Sequence, residues 1–188
     1  MLLKYRVPHS GPHGLREPKA PTALQDAQRT IGLLRLNAAK WHINPQKIGV
    51  IGFSAGGHLV AGASTRFEKR VYPAVDAADK ESCRPDFAIA AYPGHLWKGD
   101  KNLGLNSTIP VTSNTPPTFL LQAENDPVDD VNHALSYYIA LNRAKVPVEL
   151  HLYAEGGHGF GLRRTKFPIT GWPQLVETWL RTIEMIRD

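Results

Sequence analysis

The stretch from residue 48 to residue 63 constrains this chain more than any other. It reads Ile-Gly-Val-Ile-Gly-Phe-Ser-Ala-Gly-Gly-His-Leu-Val-Ala-Gly-Ala. An apolar run over 47–53 ends on Ser54, and small residues in a helical pattern follow at once. Gly52-x-Ser54-x-Gly56 therefore falls on a sharp strand-to-helix turn, the setting of a nucleophile elbow. Flanking glycines let the backbone turn without Cβ clashes. The hydroxyl then stands clear at the strand's C-terminal end. The helix that follows aims its first N–H groups at the same spot, where negative charge is favoured. The competing reading is a Gly-Ser turn in a strand–helix unit with no chemical task.

With 188 residues the chain suits one domain over 1–188. A chain of that size buries roughly 70% of its unfolded surface. Its hydrophobic content of 42% is ordinary for a globular protein. No apolar run reaches the ~18 residues of a membrane span. The opening Met1-Leu2-Leu3-Lys4-Tyr5-Arg6 is too short and too soon charged for a signal peptide, so a cytoplasmic location is the default expectation. One cysteine, Cys83, excludes an internal disulfide and a cysteine-based metal site. The net charge of +5 is spread out, with small clusters at Arg66, Lys69 and Arg70 and at Arg163, Arg164 and Lys166. No basic face with interleaved aromatics stands out, so neither nucleic acid nor membrane is expected as a partner.

Strands are expected over 2–7, 47–53, 87–92, 118–123 and 148–153, and helices over 23–41, 55–65, 130–144 and 172–186. Ala27, Ile31, Leu34 and Ala38 mark the apolar face of the first helix. The continuous apolar run over 47–53 is of the kind found in buried parallel strands. Alternating strands and helices imply an α/β fold: a mostly parallel sheet of about five strands with helices on both faces. In such sheets chemistry gathers beyond the C-terminal ends of strands, where Ser54 lies.

A serine hydroxyl needs a base, and the base needs an orienting group. Of the eight histidines, His9, His13, His42, His58 and His95 come too early for a serine–acid–histidine order. His133 lies in a helical pattern and His151 inside a strand. His158, in Gly156-Gly157-His158-Gly159-Phe160, has the address of a base in a loop past a strand. For the acid, the segment after 118–123 offers Glu124, Asp126, Asp129 and Asp130. Asp126 is preferred and Glu124 is second. Asp129 and Asp130 read as the cap and first turn of the next helix. Trp97, Phe160 and Trp172 read as packing residues, with an acyl or sugar platform as the alternative.

At this point the chain resembles an α/β-hydrolase-fold serine esterase. The group includes carbohydrate-esterase-like acetyl xylan esterases and hormone-sensitive-lipase-like carboxylesterases. The matching residues are Tyr5-Arg6-Val7-Pro8, Asp26-Ala27-Gln28-Arg29, Gly52-Phe53-Ser54-Ala55-Gly56-Gly57-His58, Tyr92-Pro93-Gly94, Thr115-Pro116-Pro117-Thr118, Asp126-Pro127-Val128 and Gly156-Gly157-His158-Gly159. The resemblance implies Ser54 as nucleophile, His158 as base, Asp126 as orienting acid and the Ala55 N–H as an oxyanion donor. It implies hydrolysis of short-chain esters, acetyl esters of carbohydrates among them, with no cofactor and no metal.

Such enzymes usually carry a His-Gly-Gly-type oxyanion loop before the Tyr-Arg strand, and here the chain begins at that strand. The fold is expected to lack the usual N-terminal strands. The segment His9-Ser10-Gly11-Pro12-His13-Gly14 is the candidate substitute for the loop. An apolar edge near residues 2–7 then favours a homo-oligomer. Two other functions stay open: a vestigial or binding homologue with weak chemistry, and a serine peptidase of the prolyl-oligopeptidase type.

Overall fold

The computed structural model describes residues 1–7 and 21–187. Four strands form one sheet in the order β1-β2-β3-β4. They are β1 (Gly49–Phe53), β2 (Phe87–Ala91), β3 (Thr118–Ala123) and β4 (Val148–Tyr153). Every pair is parallel, with Gly49 opposite Phe87, Ala88 opposite Thr118, and Thr118 opposite Val148. Helices α1 (Pro21–Leu36), α2 (Ala55–Thr65), α3 (Asn132–Arg143) and α4 (Trp172–Thr182) complete the α/β architecture.

Side-chain alternation along the strands sorts the helices between the two faces. Ala88, Ala90 and Leu120 point to one face, where they pack with Val60 and Ala61 of α2 and with Tyr137 and Leu141 of α3. Ile89, Ala91, Phe119, Leu121 and Ala123 point to the other, under Trp172, Val176 and Trp179 of α4. All six residues of β3 are buried, as its central place and double cover require. Helix α1 lies outside α2, with Leu24 and Ala27 packed on Ala63. Among the described residues no helix is long and apolar enough to cross a membrane.

Four expectations are corrected. Residues 2–7 form no strand. The backbone N–H of Arg6 donates to the Asp26 carboxylate at 2.8 Å instead of to a ladder, and the guanidinium grips the same carboxylate. The described sheet therefore has four strands, not about five. Finally, the run over 47–53 is not an interior strand: β1 is at the edge of that sheet, and Ile51 is 52% exposed. Ile51 shares a face with Phe53, and α4 covers that face over β2 and β3 without reaching Ile51. The first helix also stops earlier than expected, at Leu36, while Ala27, Ile31 and Ala38 are buried.

Because all four strands run the same way, their C-terminal ends share one rim. Ser54 follows β1, Gly94 follows β2, Asp126 follows β3 and His158 follows β4.

Candidate active site

Ser54 sits between β1 and α2 with φ +53° and ψ −119°, a conformation that L residues rarely adopt. Such strain costs of order 1–3 kcal/mol and persists only where surroundings impose it. Here the Ser54 N–H donates to the Ala91 carbonyl at 3.0 Å, and its carbonyl accepts from the His58 N–H at 3.1 Å. As the residue capping α2 it makes no side-chain capping bond, so its hydroxyl is free for other partners. The tightness of the turn shows at Gly52, where a Cβ would come within 2.2 Å of the Gly56 carbonyl oxygen. Gly57 is constrained less severely, with Pro93 3.0 Å from where its Cβ would be. Gly56, the second glycine of the motif, would meet nothing nearer than the Tyr5 hydroxyl at 3.9 Å.

The His158 ring lies across the rim from the serine. Its Nε2 is 3.0 Å from Ser54 Oγ, and its Nδ1 is 2.8 Å from Asp126 Oδ2 and 3.1 Å from Oδ1. A carboxylate only accepts, so Nδ1 carries the proton and Nε2 is left to accept from the serine. Asp126 has a side chain with no exposed surface, and its Oδ1 also accepts from the N–H groups of Val128 at 2.9 Å and Asp129 at 3.1 Å. The structure thus brings Ser54, His158 and Asp126 into one hydrogen-bonded chain. Ala55 opens α2, so its N–H belongs to the helix's unpaired first donors, beside the hydroxyl. The segment 9–14 lies outside the described residues.

Several further residues support the site. Asn125 Oδ1 accepts from the N–H groups of Gly156 at 3.0 Å and Gly157 at 2.8 Å, tying the histidine loop to the acid loop. Tyr92 meets the His158 ring edge-on, centroids 5.0 Å apart, and burial raises the pKa of its phenol. Trp172 Nε1 donates to the Gly161 carbonyl at 2.8 Å, anchoring the far side of the loop. Phe160 and Trp172 are buried in the core and form no platform. Trp97 is half-buried and donates through Nε1 to the Asp100 carbonyl at 2.9 Å.

Asp129 does not cap α3, contrary to expectation. The residue capping that helix is Val131, and Asp130 Oδ1 accepts the Asn132 N–H at 2.8 Å. Asp129 turns inward instead, with Oδ2 3.4 Å from Ser54 Oγ and 3.9 Å from His158 Nδ1. Its Oδ1 lies against the Cα of Gly94, where a Cβ would come within 2.3 Å of it. Glu124 is exposed and outside the site. Three more histidines cluster near the rim: the His58 and His95 rings are 6.0 Å apart, and those of His95 and His133 are 6.5 Å apart. Burial pushes His58 and His133 below the usual imidazole range, and Asp129 opposes that shift in both. Among the described residues no group of three or more histidine, cysteine or carboxylate side chains is placed to hold a metal ion.

The BD-FAE family model matches residues 13–94. An acetylxylan esterase of Xylanibacter ruminicola is 30% identical over 182 residues, and endo-1,4-beta-xylanase B of Butyrivibrio fibrisolvens is 31% identical over 166. Those matches cover 85% and 79% of this chain but only 34% and 26% of the relatives, so the chain spans about a third or less of their length. Among solved structures, an acetyl ester-xyloside bifunctional hydrolase from Caldicellulosiruptor lactoaceticus superposes with a TM-score of 0.79 at 33% identity. That match covers 90% of this chain and 68% of the other. The carboxylesterase Cest-2923 from Lactobacillus plantarum gives a TM-score of 0.71 at 26% identity, over 90% of this chain and 70% of that one. With sequence and fold shared along most of its described length, the chain belongs to the α/β-hydrolase-fold family of carboxylesterases and acetyl xylan esterases.

Proposed function

We propose that this protein hydrolyses short-chain carboxylic esters, acetyl esters of carbohydrates foremost, through an acyl-enzyme on Ser54. The observation that carries the reading is the chain from Ser54 Oγ to His158 Nε2, 3.0 Å, and from His158 Nδ1 to Asp126 Oδ2, 2.8 Å. His158 takes the hydroxyl proton as Oγ attacks the ester carbonyl carbon. The tetrahedral intermediate carries its charge on the former carbonyl oxygen, which the Ala55 N–H and the start of α2 stabilise. His158 then gives its proton to the departing alkoxide as the C–O bond breaks. Water repeats the sequence on the acyl-serine, releasing the acid and restoring the hydroxyl. Asp126 stays ionised, fixing the tautomer of His158 and stabilising its protonated form. The acyl preference draws on the relatives, whose names specify acetyl esters.

The test is hydrolysis of p-nitrophenyl esters of increasing acyl length by the wild type and by Ser54→Ala. The variant loses on the order of 10⁴-fold or more in kcat and keeps its melting temperature. Activity rises with pH on the acid side through one ionisation, because the base must be neutral to accept the proton. Wild-type rates in Ser54→Ala would overturn the proposal.

A further inference from the structure

Asp129 is the residue of the rim that the hydrolytic sequence above does not use. Its carboxylate is nine-tenths covered. Among the described residues the only donor within hydrogen-bond distance of it is the Ser54 hydroxyl, at a long 3.4 Å. That hydroxyl has one proton, and His158 Nε2 at 3.0 Å accepts it for the chemistry. Once substrate is attacked, Asp129 is a covered carboxylate with no donor left, and such a group is costly until it finds one. Its position supplies the reason to keep it: it follows β3, next to Gly94 and the nucleophile, where the alcohol or acyl part of an ester must lie.

Two imidazoles of the same rim are held in fixed tautomers. His58 Nδ1 lies 3.3 Å from the Gly94 carbonyl, which only accepts, so Nδ1 carries the proton and Nε2 is an acceptor. His133 Nδ1 accepts from the N–H groups of Leu96 at 3.1 Å and Trp97 at 2.9 Å, so its proton is on Nε2, a donor. Asp129 itself thus offers the unpaired acceptor, in a neighbourhood whose imidazoles already have partners on Nδ1. An ester of a carbohydrate carries hydroxyls beside its acyl group, and a hydroxyl can donate to that carboxylate.

We propose that Asp129 is a specificity-determining residue that accepts a hydrogen bond from a free hydroxyl adjacent to the ester being cleaved. The subsite rests on the ester-hydrolase reading and refines it. Preferred substrates are partially acylated polyols with an unmodified hydroxyl beside the acyl group, and fully acylated ones are disfavoured.

A minimal pair of probes isolates the hydroxyl: 2-hydroxyethyl acetate and propyl acetate, which differ by OH against CH₃. The wild type favours 2-hydroxyethyl acetate in kcat/KM by about tenfold or more, the range for a hydrogen bond to a charged acceptor. In Asp129→Asn that ratio falls by a similar factor. The ratio, not the absolute rate, is the readout, because a merely structural role would lower both substrates together. Equal losses on both esters in Asp129→Asn overturn the subsite. Should the variant fail to fold, the wild type alone decides, since a ratio near one also overturns it. A wild type that cleaves neither ester contradicts the hydrolase reading itself, whereas one that cleaves both equally well contradicts only the subsite.

Discussion

Two aspartates three residues apart, Asp126 and Asp129, face the same histidine, and their geometries assign them different work. Asp126 holds His158 Nδ1 at 2.8 Å and anchors its own loop by accepting two backbone N–H groups. Asp129 reaches that nitrogen only at 3.9 Å, too far for a hydrogen bond. Asp126→Asn replaces an acceptor with an amide and lets the ring settle in the wrong tautomer, which costs on the order of 10⁴ in kcat. Asp129→Asn leaves the Asp126 contact in place and costs far less on p-nitrophenyl acetate. Steady-state kinetics of both variants on that ester check the ranking, and the reverse order would transfer the orienting role to Asp129. That Ser54, Asp126 and His158 come together was legible because chain order and strand ends restrict each to a few positions. Asp129 was not. The residues over 126–130 contain three aspartates, and the turn that Asp126 itself caps determines which of them faces inward.

At the scale of elements, the β1–α2 junction combines strain with close packing. Its glycines look equivalent in the sequence and are not equivalent in the fold. Gly52→Ala would drive a methyl into the Gly56 carbonyl, 2.2 Å away, where backbone rather than a flexible side chain must move. We expect a loss of about 3 kcal/mol, the upper range for overpacking a well-filled site. Gly56→Ala adds a methyl with only an ordinary 3.9 Å contact, in the first turn of α2, where alanine is the better helix former. That substitution should leave stability unchanged or raise it. Urea unfolding midpoints of the two variants separate these outcomes, and equal destabilisation would show that the motif's glycines act as one unit. The strand and helix themselves were legible from the switch in hydrophobic period at Ser54. Which glycine is indispensable depends on Pro93 and on the Gly56 carbonyl, contacts that no local pattern encodes.

Across the whole molecule, the alternation of apolar runs and amphipathic segments was enough to read a parallel sheet covered on both faces. Strand order was harder, because an apolar run does not reveal how many neighbours it has. Residues 47–53 read like an interior strand, yet within the described sheet β1 pairs on one side alone. The two edges differ in chemistry. On β4 the edge carries Glu149, hydrogen-bonded to His151 at 2.7 Å, a carboxylate of the kind that discourages strand addition. On β1 the sequence is Gly-Val-Ile-Gly-Phe, without a charge, and Ile51 is more than half exposed. An uncharged apolar edge is a template for pairing with another chain. Light scattering at rising concentration should therefore give a mass above the 20.8 kDa of one chain. Ile51→Lys places a charge on that edge and should return the mass toward a single chain. Its melting temperature should stay within ~2 °C of wild type, because substitutions at exposed positions rarely change stability by more than ~0.5 kcal/mol. A wild type that stays at 20.8 kDa at every concentration would mean that the β1 edge is protected, and the self-association expected from it would be wrong.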